Sequence, residues 1–344
     1  MSLTTGVLLL PSCTSDRLVG IAKLCERTGY DYLWLADERF FREVYALLAL
    51  CAQATERLRL GPCVTDPYSR HPSLTAMAIA TLDEISKRRA VLGIGAGVSG
   101  FRELGIAREK PAVAIREAVE LIRRLLRGET VTAGGQLVRF HEGRLDFTPP
   151  RADVPVYVAS QHEHGCRVAG RVADGAIMQG CVAPGLLAFF RDTVAEGARR
   201  SGRDPRSIDL VARINVCIAD DRAAARDVMR PGIVRSLVSQ RPEFFTFRTA
   251  GLSVSRDLAE KIDALSYTHD PAPLATLAKD VPDDFVDAVT LAGPPAVIAD
   301  GVVRLARGGI TQLMLHPMAL DGGVERVIER FQAEVMPRVR SAGV

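Results

Sequence analysis

Residues 58–72 read LRLGPCVTDPYSRHP, Leu58 to Pro72. The stretch starts as a buried strand, Leu58 to Val64, and turns into a polar loop that collects Pro62, Pro67 and Pro72 before a helical pattern opens near Ser73. Proline fixes φ and supplies no backbone donor, so the second half cannot continue a ladder. Strand, loop and helix in that order make one βα unit.

The same unit recurs on both sides. Before it come the apolar runs Gly6–Leu10 and Tyr32–Ala36, each followed by a helical pattern: one opened by Ser15 and closed by Gly29, the other over Val44–Arg57. After it, Ala90–Ile94 ends in the glycine-rich Gly93-Ile94-Gly95-Ala96-Gly97, and Ile115, Val119, Ile122 and Leu126 mark one face of a helix that Gly128 stops. Val154–Ala159 precedes a helix near Gly165–Val172, Gly175–Met178 precedes Leu186–Arg200, and Leu210–Ile218 is the seventh strand. The helix Pro295–Ala306, the strand Thr311–Leu315 and the helix Val324–Val339 close the chain. Eight strands, nearly all followed by a helix, predict an α/β fold, a closed (β/α)8 TIM barrel, as a single domain over 1–344. A doubly wound sheet is the alternative, but it needs no particular strand number, whereas the length and the count of eight agree with a barrel.

Two segments interrupt the repeat. Residues 128–150 alternate in character around Gly134-Gly135 and predict a hairpin insertion. Residues 220–293, the largest insertion, between strands seven and eight, contain helical pieces and a break at Pro271–Pro273, and predict a helical insertion or lid. Its Phe244, Phe245, Phe247 and Tyr267 suit either an apolar substrate wall or plain helix packing.

Composition narrows the function classes. With 47% hydrophobic and 25% charged residues the chain is globular, and a formal charge of +3 without blocks of like charge argues against nucleic-acid or polybasic membrane partners. No apolar run reaches membrane-spanning length, and Met1–Pro11 lacks the basic start of a signal peptide. Seven scattered cysteines without a CxxC pair fit a reduced, cytoplasmic protein.

A barrel carries its chemistry at the C-terminal ends of its strands. After strand two stand Asp37 and Glu38, readable as surface acids or caps, or as pocket carboxylates able to move a proton. The glycines around Gly95, Ala96 and Gly97 lack the acidic strand end that a dinucleotide fingerprint needs about 20 residues on, and read instead as a close backbone approach to something flat or bulky. In Gln161-His162-Glu163-His164 two histidines diverge at a helix start with no third ligand in spacing, so a metal is not expected, and the helix start is a better site for an anion. Neither GxSxG nor HExxH is present.

Taken together, Gly29–Asp37 (GYDYLWLAD), Leu60–Pro72, Arg89–Gly97, Val154–Ala159 and Ala173-Asp174-Gly175 resemble the luciferase-like flavin and deazaflavin oxidoreductases, and within them the branch of coenzyme-F420-dependent methylenetetrahydromethanopterin reductases. The resemblance runs from the first strand to about Arg213 and returns in the last strand and helix. It implies F420, a deazaflavin, stacked at the end of strand three, with a bulge and a cis peptide at Cys63–Val64 and a polar contact from Thr65. It further implies Asp37 and Glu38 at the ring's polar edge, Gly95, Ala96 and Gly97 giving room, and Ala159, Ser160, Gln161, Gln179 and Gly180 around the phosphate. Glu38 is then the first candidate for the proton source, with Asp37 structural, and a homodimer is implied. Two acids of the pterin reductases are missing: Leu8 and Val98 stand in their places, which points to a small organic substrate other than the pterin. An FMN-dependent luciferase-like monooxygenase is the alternative on the same fold, and a non-catalytic flavin-binding barrel the alternative of another class.

Overall fold

In a computed structural model, residues 3–268 and 270–344 are described; residues 1, 2 and 269, which fall within the expected domain, the N-terminal reading and the 220–293 insertion, lie outside them. The eleven strands are β1 (Thr4–Leu9), β2 (Tyr32–Leu35), β3 (Arg59–Pro62), β4 (Leu92–Gly95), β5 (Val131–Gly134), β6 (Arg139–Gly143), β7 (Val156–Ala159), β8 (Gly175–Gln179), β9 (Asp209–Ile218), β10 (Thr290–Gly293) and β11 (Gln312–Pro317). The fold is the expected (β/α)8 TIM barrel, its eight strands being β1 to β4, β7 to β9 and β11. Among the described residues no helix is long and apolar enough to cross a membrane.

The chain divides into two compact units. The first, residues 4–177 and 192–211, holds the parallel run β1–β2–β3 and the parallel pairs β4–β7 and β7–β8. The parallel strands of this unit are four to six residues long and almost wholly buried, which is why they read as apolar runs rather than alternating patterns. Trp34, fully buried, fills the middle, with Tyr32 stacked on one side and Tyr157 edge-on to it at 5.4 Å. The helices α1 (Ser15–Thr28), α2 (Val44–Gln53), α3 (Pro72–Ile85), α4 (Pro111–Leu126) and α5 (Glu163–Val172) cover the strands. Thr14, one residue before the expected cap, accepts from Arg17 N to start α1, and Gly29, at φ 89°, ends it while Tyr30 N reaches Cys25 O. α2 stops earlier than its apolar pattern suggests. The Glu26 carboxylate takes the backbone amides of Glu56, Arg57 and Leu58 and turns the chain straight into β3. The predicted hairpin is the antiparallel pair β5–β6.

The second unit, residues 3, 178–191 and 212–344, contains β10 and β11 and most of β9. α6 (Pro184–Arg200) starts here and finishes in the other unit. The 220–293 segment is α7 (Arg222–Gln240), α8 (Phe245–Thr249), α9 (Arg256–Asp263), α10 (Pro271–Ala278), α11 (Asp283–Val289) and then β10, which pairs in parallel with the end of β9. The sequence reading missed β10: TLAG carries one large apolar side chain and follows α11 directly, so it lacks the apolar run that marks four-residue strands such as β2 and β7. Phe247 is buried and stacks on Phe285, and Phe245 packs edge-on to Phe189, so these aromatics serve helix packing. After α12 (Pro295–Arg307) and β11, the last helix is not continuous. α13 (Gly323–Arg330) passes through a π turn at Phe331–Val335 into α14 (Met336–Ser341), because Pro337 lacks the amide that a regular turn requires.

Candidate active site

The end of β3 carries one residue too many. Leu60 bridges Ala90 and Thr65 bridges Ile94, so five steps along β3 face four along β4. The surplus is the predicted bulge at Cys63–Val64, whose peptide is cis, as the resemblance implies. Beyond it the chain rejoins β4, with Thr65 N donating to Gly93 O at 3.0 Å and Gly95 N to Thr65 O at 2.9 Å. A Cβ at Gly95 would stand 2.8 Å from Val64 Cγ2 and 3.2 Å from Ala159 O, so this glycine makes room first for the bulge itself. Gly97 turns at φ 63° with the Phe101 ring 3.0 Å from where a Cβ would be, and Ala96 lies half-buried between the two.

Rejoining β4 delivers Thr65 to a fixed place. Its side chain is fully buried, and Oγ1 donates to Asp37 Oδ2 at 2.8 Å. Tyr45 OH, in the first turn of α2, lies 3.0 Å from the same Oγ1. A hydroxyl has one hydrogen, and Thr65 gives it to Asp37, so Tyr45 is the donor to Thr65. The hydrogens therefore point in one direction, from Tyr45 through Thr65 to the carboxylate. Burial raises the Asp37 pKa above its ordinary value. The Thr65 bond and the charges of Arg39 and Arg70 pull it down, and Asp66 pushes it up. Tyr45 is pushed up by burial and stays a neutral donor.

The loop after the bulge is built on Asp66, which is buried. Its Oδ1 accepts from Tyr68 N and Ser69 N at 2.8 Å each, an Asx turn, while Oδ2 takes Ser69 Oγ at 2.6 Å and the Arg39 guanidinium. Arg39 also reaches Ser69 Oγ and lies 3.4 Å from Asp37 Oδ1, tying the two loops together. Glu38 is half-buried beside Asp37.

Across β4, Ala159 ends β7 and Ser160 N donates to Ile177 O at 3.1 Å. Ser160 Oγ accepts from His162 N at 3.1 Å, turning the chain past Gln161, which is half-buried, into α5. Burial, with the Arg108 charge adding to it, holds the His162 imidazole below its ordinary pKa. Arg108 itself donates to Gly97 O and lies over the Phe101 ring, so the segment after β4 is folded back on its own start. No group of three or more His, Cys, Asp or Glu suited to a metal occurs among the described residues.

Of the residues expected from the sequence, Asp37, Glu38, Cys63, Val64, Thr65, Gly95, Ala96, Gly97, Ala159, Ser160 and Gln161 all lie at the strand ends of the first unit. Gln179 and Gly180 lie in the other unit, where Gly180 N donates to Arg213 O at 2.9 Å. Sequence reasoning gave no role to Arg39, Tyr45, Asp66, Ser69 or Arg70. Four of them stand in loops already under scrutiny, but nothing local marks which polar residue of a loop turns inward, and Tyr45 reads as one more position of an apolar helix.

The luciferase-like monooxygenase family matches residues 4–312. The chain is 31% identical over 338 residues, 97% of its own length and 99% of the relative's, to the 5,10-methylenetetrahydromethanopterin reductase of Archaeoglobus fulgidus. It is 28% identical over 343 residues, 94% of this chain and 93% of the relative, to the F420-dependent glucose-6-phosphate dehydrogenase of Kineococcus radiotolerans. The structure of the coenzyme-F420-dependent tetrahydromethanopterin reductase from Methanopyrus kandleri superposes with a TM-score of 0.86 at 28% identity, covering 98% of this chain and 100% of that one.

Proposed function

The chain belongs to the luciferase-like monooxygenase family, and from that membership we propose that it is an F420-dependent oxidoreductase that moves a hydride between the deazaflavin and a small organic substrate. The observation that carries the reading is the bulge at the end of β3, with the half-buried Asp37 carboxyl bonded to Thr65 just beyond it. Exposed backbone at a bulge beside a carboxyl in low dielectric suits a flat ring with a polar edge. The Ser160 turn at the start of α5 suits a phosphate, with Ala159 and Gln161 on either side of that serine. When bound, F420 would give or take a hydride in a two-electron step. Cys63 and Val64 would hold the ring, Thr65, Asp37 and Glu38 would face its polar edge, and one of the carboxyls would keep a proton at hand.

The pterin is not the proposed substrate. Leu8 is a buried apolar residue of β1 and Val98 an exposed apolar one after β4, at the two places where the resemblance implies acids in the pterin reductases. Seven free cysteines fit the reduced cytoplasmic setting, and the family likeness supports a homodimer, which sedimentation of the purified protein tests.

Fluorescence titration of the cofactor-free protein with F420 and, separately, with FMN tests the reading. Saturable F420 binding with weak FMN binding is expected. Tight FMN binding without F420 binding would replace it with the FMN-dependent monooxygenase, and F420 binding without turnover of any alcohol, aldehyde or sugar phosphate would favour the non-catalytic barrel.

A further inference from the structure

The Asp37 carboxyl is ringed by charge from two loops. Arg39 and Glu43 come from the segment between β2 and α2, Asp66 and Arg70 from that between β3 and α3. Arg39 is held by Asp66 and Ser69, and its Nη1 also reaches Asp37 Oδ1, at 3.4 Å. Arg70 is not committed in that way. Its Nη2 lies 2.9 Å from Glu43 Oε1, and its Cζ sits 4.8 Å above the centre of the Tyr45 ring. Its Nε is buried, makes no hydrogen bond, and stands 3.8 Å from Asp37 Oδ2, within ion-pair range but beyond a hydrogen bond. Glu43 is fixed in turn, because its Oε2 accepts from Ala46 N at 2.7 Å and caps α2.

We infer that Arg70 is a positioning residue for the proton at Asp37, anchored by Glu43 and by the Tyr45 face so that it acts on the carboxyl by charge without locking it as a carboxylate. The inference deepens the proposed function, which keeps a proton at hand on a carboxyl at the ring's polar edge, and takes Asp37 rather than Glu38 for that carboxyl. A close two-pronged guanidinium bond would hold the carboxyl ionised; Arg39 makes one long contact, to Oδ1, and Arg70 stands off Oδ2, which leaves Oδ2 to Thr65. At the observed spacing both protonation states are served by the same chain of hydroxyls. When Asp37 is ionised, Thr65 donates to it and Tyr45 donates to Thr65. When Asp37 carries the proton on Oδ2, it donates to Thr65, whose own hydrogen turns to the Tyr45 oxygen. One proton is taken up or released, no electrons move, and no covalent bond to carbon changes.

The test is a carbon-13 NMR titration of cofactor-free protein labelled at the aspartate carboxyls, with Asp37→Asn identifying the resonance. Arg70→Met should raise the Asp37 midpoint by about one pH unit, a tenfold tighter hold on the proton. Arg70→Lys, which keeps the charge, should recover most of that shift. Glu43→Gln, which frees Arg70 to close on Asp37, should lower the midpoint, and should lose this effect when combined with Arg70→Met. An unmoved midpoint in Arg70→Met, or a Glu43→Gln shift that persists in full without Arg70, would overturn the inference. Circular-dichroism melts verify folding, and should Arg70→Met not fold, Arg70→Lys combined with Glu43→Gln decides in its place. The F420 titration is independent: its failure would remove the functional reading and leave the Asp37 midpoint to judge Arg70.

Discussion

Thr65 Oγ1 donates to Asp37 Oδ2 at 2.8 Å across 28 residues of sequence, and this bond joins the end of one barrel strand to the bulge on the next. It also fixes the direction of the hydrogen that Tyr45 supplies. Thr65→Val keeps the shape and removes the hydroxyl, leaving a buried carboxylate and a phenol each short of a partner. A loss of about 1–3 kcal/mol is expected in urea unfolding, with Thr65→Ser retaining most of the stability. Equal stability of Val and Ser variants would count against a role for the bond.

Asp37 makes stability depend on pH in a defined direction. Burial holds its pKa above the ordinary 3.8. A raised pKa means that the folded state binds the proton more tightly, so the contribution is full below 3.8 and is lost as pH climbs through the raised midpoint. Asp37→Asn cannot titrate there. Its melting temperature should therefore gain on the parent's as pH rises from 3.8 through the raised midpoint, as followed by calorimetry. A difference that stays constant across that range would contradict the assignment.

Gly95 is matched to Val64. A Cβ at Gly95 meets Val64 Cγ2 at 2.8 Å, so Gly95→Ala should lower stability by about 1–3 kcal/mol and weaken F420 binding. Val64→Ala in the same chain should restore part of the stability, because it removes the methyl group that clashes. A double variant no better than the single one would place the strain elsewhere.

The hairpin is pinned by one carboxylate. Glu117 on α4 accepts from the amides of Gln136, Leu137 and Val138 at 3.0–3.1 Å. Burial alone would raise its pKa, but these bonds outweigh it and hold the carboxyl below the ordinary 4.5. The stabilisation is therefore present above 4.5 and lost as pH falls through the lowered midpoint. Hydrogen exchange at those three amides should speed up in Glu117→Gln, and in the parent on acidification, once rates are corrected for intrinsic exchange.

Cysteine accessibility gives a reading of the site itself. Cys25, Cys51, Cys166, Cys181 and Cys217 are buried, and burial pushes Cys51 and Cys166 up to about 12. Cys13 and Cys63 are partly exposed. Iodoacetamide on the native protein should label these two and spare the others, and F420 should protect Cys63 while leaving Cys13 reactive. Labelling of Cys63 unaffected by saturating F420 would move the ring away from the bulge.

The barrel was legible because its strands and helices are short local segments, whose burial on one or both sides is written into apolar runs and 3.6-residue spacing, as in GVLLL or in Ile115, Val119, Ile122 and Leu126. The strand ends gave the candidate residues: Asp37 and Glu38 follow strand two, and Thr65 follows the bulge after strand three. Elements without an apolar run or an unbroken period escaped: β10, TLAG, has one large apolar residue, and Pro337 acts on the last helix only through a missing amide. The sequence by itself determined where strands end and which polar residues gather there. Only the tertiary structure decided which of them meet. Asp37 takes its proton affinity from burial, Thr65, Arg39, Arg70 and Asp66, and all of these partners but Arg39 come from a neighbouring strand end and loop that hydrophobic periodicity does not register. Charge and hydrogen bonding act through space over a few ångströms, while sequence patterns report only how each segment faces its own core.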